Sequence, residues 1–269
     1  MNYNSLFSKY IDKFNLITQR REAGADGGDT CHRVCNILLC AKLDGTQYSF
    51  DNKPLIESYY RCIGDFEITK DVYRRHPDTT KWYSLPENFS ADQATMLLAA
   101  MLAFGDTERL KGFGKKLIER KGFHQNTHPN YEKPGDKGYV TKIADIVRPS
   151  QIAIILRGMR APVLYPLIFV LDLFLFIDII LNMFDDYRSR KKGKRTDAYT
   201  MMTAILLTTK LKYDTLPAKL VRKLMRFTDY KSAITWIFEP AEHNDPPIHK
   251  ILLPLCEKYI DKDEKIIID

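Results

Sequence analysis

VLYPLIFVLDLFLFIDIILNMF, residues 163–184, is the most apolar stretch of the chain and fits either a membrane span or a buried helix. Its 22 residues would span about 33 Å as a helix, enough to cross a bilayer. The basic run RSRKKGKR at 188–195 follows it, as a cytoplasmic flank would. Asp172 and Asp178 argue the other way, each costing about 2.5–3.5 kcal/mol at a membrane centre. Asn182 adds to that penalty, and Pro166 interrupts the start. The Leu, Ile, Phe and Val residues return about 0.3–0.6 kcal/mol each, so insertion is nearly cancelled. A helix apolar on all sides also belongs at the centre of a large helical domain. A buried core helix is therefore expected, with membrane contact through residues 163–195 as the alternative.

The rest of the composition fits a globular chain. Of 269 residues, 45% are hydrophobic and 28% charged, which excludes global disorder and provides for a substantial core. Five Cys are too few for a disulfide-stapled module of this size. Lys and Arg number 41 against 34 Asp and Glu, a net charge of +7. That excess permits nucleic acid, anionic lipid or acidic glycan as partner and selects none of them. The N-terminal MNYNSLFSKYIDKF is amphipathic and lacks the apolar core of a signal peptide, so a cytoplasmic protein with reduced thiols is expected.

Helical periodicity dominates on both sides of the apolar run. Leu6, Tyr10, Phe14 and Ile17 share one face of a helix expected over 4–19. Thr30 to Lys42 forms a second, with Asp29 as N-cap, and Lys53 to Thr69 holds a third, ending near Gly64. Ser90 to Phe104 is rich in strong helix formers and leads into Thr107 to Gly122 as the second arm of a hairpin. Residues 123–138, with two Pro and two Gly among polar side chains, read as a long loop. Helices are expected again over 150–158, 163–184, 197–211, 215–228, 230–238 and 246–260, with a basic loop over 185–196. Short β signals fall at Tyr48–Phe50 and Val72–Arg75. The expected fold is a single all-α domain of paired helices spanning residues 1–269.

Three polar segments could carry chemistry. GADGGDTCHR at 24–33 opens a helix with Asp26 and Asp29, and Arg33 lies one turn beyond Asp29. WYSLPENFSADQ at 82–93 puts Asp92 and Gln93 at another helix start, after Trp82 and Tyr83. HQNTH at 124–128 with Tyr131 is dense in side chains suited to hydroxyl recognition. Each also has a plain structural reading: N-caps for the first two, a solvated loop for the third. Cys31, His32, Cys35 and Cys40 lie close together, yet their spacing is poor for zinc, and buried thiols in a helix interface explain them better. No phosphate-binding glycine loop, dinucleotide fingerprint or hydrolase elbow occurs, so no cofactor or metal is expected. The basic run has no accompanying RNA-stacking aromatics, which disfavours nucleic acid.

DGGDTCHR at 26–33, YRRHPDTTKWYSLPENFSADQ at 73–93, FHQN at 123–126, LYPLIFVLDLFLFIDIIL at 164–181 and ITWIFEPAEHNDPPIHKILLPLCEKYI at 234–260 together resemble a family of uncharacterised phage and bacterial proteins of helical (α/α) toroid type. The resemblance covers most of the chain and implies a toroid or incomplete barrel with residues 163–184 as an inner helix. If phage-encoded, the chain would act in the host cytoplasm or virion. Two positions depart from the family pattern. Val34 stands where an acidic residue follows the Arg, and Ala91 stands in place of the Arg of Ser-Arg-Asp-Gln.

The leading functional expectation is a glycan- or cell-wall-directed enzyme, lyase- or hydrolase-like, with Asp29 and Asp92 as an acid–base pair. Asp26, Arg33 and Gln93 would orient substrate, Trp82 and Tyr83 would stack on sugar rings, and His124, Gln125, Asn126 and Tyr131 would meet hydroxyls. The two lost charges favour an alternative: a non-catalytic protein that binds a host protein or serves in a virion or its assembly. Peripheral membrane attachment through 163–195 is the third reading.

Overall fold

The computed structural model describes residues 3–18, 28–45, 53–78, 80, 89–122, 146–159, 168–192, 203, 216–238 and 246–262. The fold is all-α with two short strands. In chain order the elements are α1 (Tyr3–Phe7), α2 (Thr30–Asp44), α3 (Leu55–Phe66), β1 (Glu67–Thr69), β2 (Val72–Tyr73), α4 (Ala91–Ala103) and α5 (Thr107–Glu119). They continue as α6 (Pro149–Gly158), α7 (Ile168–Lys191), α8 (Leu216–Phe227), α9 (Tyr230–Phe238) and α10 (His249–Cys256), the last running into a π-helical turn at Glu257–Asp261.

Helices α2 and α4 form the centre and pack along each other, with α3, α5, α6 and α10 around them. Thirteen of the 15 residues of α2 are buried, Thr30 to Ala41 without a break. Its end is set by Gly45, whose φ of +69° is the left-handed conformation that closes a helix. Helix α4 is built from Ala, Leu and Met and buries 11 of its 13 residues. These two helices supply much of one continuous hydrophobic cluster, which also takes in Phe7, Leu16, Tyr59, Phe66, Phe113, Ile154 and Ile251.

The N-terminal segment departs from the helix expected over 4–19. After α1 and a 3-10 turn at Ser8–Tyr10, Ile11 pairs antiparallel with Ile17. Asp12 causes the reversal: its carboxylate accepts the Phe14 and Leu16 N–H groups at 2.8 and 3.0 Å, and Asn15 takes a φ of 56°. An Asp that bonds its own following backbone competes with helix propagation. The helix expected to end near Gly64 runs to Phe66, and residues 67–69 then pair as β1 with β2 through a turn in which Asp71 has a φ of 64°. The strand expected at 48–50 and the loop at 123–138 lie outside the described residues, as does the helix at 197–211 save Thr203.

Helix α7 overturns the expectation of an all-round buried helix. It is longer than expected and carries Arg188, Arg190 and Lys191 as helix, so the basic loop expected from residue 185 is helical up to Lys191. Val170, Leu173, Ile177, Leu181, Phe184 and Tyr187, at spacings of three and four, are between 40% and 69% exposed. Asp178, Asn182 and Asp186, four residues apart, are buried. The physical reason lies in α6, which offers Ser150 and Arg148 to the polar edge of α7. Ser150 Oγ donates to Asp178, and Arg148 Nη1 donates to Asn182 at 2.6 Å while standing 3.8 Å from Asp178. Buried polar groups need partners more than apolar groups need cover, and here the partners face one side only.

Candidate functional site

Three helix starts are stitched together by glutamines. Gln93, in the first turn of α4, accepts the His32 N–H at 2.9 Å through Oε1 and donates from Nε2 to Asp29 Oδ1 at 3.1 Å. Gln151, in the first turn of α6, donates to the Ala91 carbonyl at 2.7 Å and to Thr95 Oγ1 at 2.9 Å. The N-termini of α2, α4 and α6 therefore meet at one end of the molecule, and the positive ends of three helix dipoles converge there.

Arg75 lies across this end. Its Nη1 donates to the Gly28 carbonyl at 3.1 Å and its Nη2 to Ser90 Oγ at 2.8 Å, and Nη1 is 3.8 Å from Asp29. Ser90 in turn donates to Asp92. The Cys31 N–H bonds to the Arg75 carbonyl at 3.0 Å, fixing the residue against α2. Asp29 and Asp92 thus stand on the two sides of a single guanidinium. Neither Asp29 nor Ser90 caps its helix through its side chain, as the sequence leads one to expect, because both side chains are used in this cross-link.

Burial pushes the Asp92 carboxyl up, but Arg75, His32, the Ser90 hydroxyl and the Gln93 N–H together hold it below the usual carboxylate range. It is a fixed negative charge, unsuited to donating a proton near neutrality. Asp29 is one-quarter exposed, and Asp92 is also partly exposed. Arg33 is buried in α2, its N–H bonded to the Asp29 carbonyl at 2.9 Å. Asp26, Trp82, Tyr83, His124, Gln125, Asn126 and Tyr131 lie outside the described residues. The structure therefore brings together Asp29, Asp92 and Gln93 of the expected set. It adds Arg75, which sequence reasoning missed although it stands in the YRRHPD stretch. Two adjacent arginines before a buried His were the available signal.

The thiols take no part. All five are buried thiols outside any disulfide, with Cys31 Sγ 4.0 Å from Cys35 Sγ. Burial raises Cys35 and Cys40 well above an ordinary thiol and pushes Cys256 up to about 12, so these sulfurs stay protonated and poorly nucleophilic.

A second polar region, also unforeseen, lies between the β1–β2 turn and α5 as an open cleft of about 640 Å³ lined by Glu67, Lys70, Asp71, Arg109, Lys115 and Lys116 among others. Arg109 organises its floor. Its Nε and Nη2 both donate to Glu67 Oε2 at 3.2 Å, and its Nη1 donates to Asp106 Oδ2 at 3.0 Å. The Tyr59 hydroxyl donates to that same oxygen at 2.9 Å. These pairings tie α3, β1 and α5 together and account for Arg109, Glu67 and Asp106 as a scaffold.

Comparison with family models, curated proteins and solved structures finds no match to this chain.

Proposed function

We propose that the chain is a glycan-directed protein whose ligand meets the end where α2, α4 and α6 begin, with Asp29 as the carboxylate that exchanges a proton with it. The observation that carries this reading is the position of Asp29: partly exposed, aimed by Gln93 Nε2 and facing Arg75. A general base needs such orientation and access. Arg75 and three converging helix starts favour a ligand with acidic or hydroxyl-rich groups. A two-carboxylate hydrolase needs one carboxyl with a raised pKa, and Asp92 is held in the opposite direction. Proton abstraction from an acidic sugar, as in a lyase or epimerase, therefore suits the site better than hydrolysis. The toroid arrangement belongs to this proposal, supported by the common end of the three helices.

The test is a panel of acidic polysaccharides and peptidoglycan fragments, assayed for unsaturated or epimerised products. Asp29→Asn is expected to lower turnover by roughly 10²–10⁴-fold, with binding kept. Absence of both binding and turnover across the panel would end the reading. A second reading, binding without catalysis of a host or assembly protein, is favoured by one observation: both carboxylates already have protein partners. Ligand capture indifferent to Asp29→Asn would support it.

A further inference from the structure

We infer that α7 and α8 form a docking face for an anionic lipid surface, on which the protein lies without crossing it. The inference is independent of the glycan reading and rests on the inverted amphipathicity of α7. Its polar residues Asp178, Asn182 and Asp186 face inward, and its outward stripe is Val, Leu, Ile, Leu and Phe. Helix α8, packed beside it, buries Val221, Arg222 and Met225 and adds Leu216, Leu220 and Phe227 to the exposed apolar surface at 65%, 48% and 85%. Among the described residues, no helix is long and apolar enough to cross a membrane. An apolar stripe too broken to insert and too exposed for water is what an interfacial helix presents.

Charge selects the occupant. Arg188 and Lys191 end α7, Lys192 follows it, and Lys219 and Lys223 lie on α8, all exposed; Arg190 and Arg226, also exposed, pair with Asp186 and the Ile260 carbonyl. Among the described side chains of these helices, Asp185 is the one exposed acid, since Asp178 and Asp186 are buried. A second copy bound through the same face would oppose these bases to themselves. Nucleic acid would leave the Leu, Ile and Phe stripe uncovered. A bilayer rich in acidic headgroups meets both features: acyl chains take the stripe and phosphates take the bases, with Phe184, Tyr187 and Phe227 at headgroup level.

Flotation with phosphatidylcholine vesicles, with and without phosphatidylserine, tests this. The full chain is expected to float with the phosphatidylserine vesicles and to release partly at high salt. Leu181→Asp combined with Phe184→Asp is expected to weaken binding by at least about tenfold at any salt. Lys191→Glu combined with Lys192→Glu is expected to weaken it by at least about tenfold at low salt and little at high salt. All four positions are exposed, so melting curves should stay those of the parent. Should the aspartates unfold the chain, Leu181→Ser and Phe184→Ser take their place. The inference fails if the parent does not float, or if the stripe variants float as well as the parent. It also fails if the parent is a dimer that Leu181→Asp disperses, since a second copy would then cover the face.

Discussion

Helices α2 and α7 dispose of their polar side chains in opposite ways. Helix α2 takes His32, Arg33 and Asn36 into the centre of the molecule, while α7 stands at the edge with Leu181 and Phe184 in solvent. In α2 every face meets another element, and Gln93 reaches over from α4 to the His32 N–H. Among the described side chains of α7, the buried ones are Asp178, Ile179, Asn182 and Asp186, on the edge where Arg148 and Ser150 at the start of α6 meet Asp178 and Asn182. Mean apolarity therefore ranks the two helices in the wrong order for burial. The location of hydrogen-bond partners ranks them correctly, since an unpaired buried polar group costs more than an exposed Leu.

That contrast can be broken by substitution. The largest effect is expected in the central pair: Leu97→Ala, on the fully buried face of α4, should cost about 2–5 kcal/mol in denaturant unfolding. Gln93→Ala should cost about 1–3 kcal/mol, because it leaves Asp29 and the His32 N–H short of a partner. A loss near zero would mean that the helix starts are not held by this cross-link.

Acidity separates the two regions as well, because Asp92 beside α2 and Asp178 on α7 shift in opposite directions. Asp92 sits below its unfolded value, so its contribution is complete above that value and is lost as pH falls through the folded one. Asp178 is raised, chiefly by burial, against the pull of Ser150 and Arg148. Its contribution is complete below the unfolded carboxylate range and declines as pH rises through the folded value. Unfolding measured across acid pH should therefore show Asp92→Asn flattening the acid loss and Asp178→Asn flattening the decline toward neutrality. The smallest effect is expected on the outer stripe, where Leu181→Ala should change stability by less than about 0.5 kcal/mol.

The sequence is legible wherever one local rule decides the outcome. Ser90 to Phe104 and Tyr230 to Phe238 appear within a residue or two of their expected bounds, because strong helix formers and clear periodicity need no help from tertiary contacts. The N-terminus was misread because Leu6, Tyr10, Phe14 and Ile17 fit a helix while the Asp12 side chain, invisible to periodicity, folds the segment back. The pairing of Asp29 with Gln93 was legible as two polar helix starts. Arg75 was not, since its role depends on Gly28 and Ser90 being neighbours in space. The same holds for the face that α7 turns outward: nothing within 163–184 reveals that Arg148 and Ser150 will wait on one side.

Thiol labelling of two adjacent positions in α7 reads out which face the helix turns to solvent. The native cysteines are all buried, so a water-soluble maleimide meets little background in the folded protein. Leu181→Cys is predicted to react at close to the rate of the unfolded chain, and Asn182→Cys to stay protected until the protein unfolds. Fast labelling at 182 with protection at 181 would contradict the account, because α7 would then turn its apolar stripe to the core as an ordinary amphipathic helix.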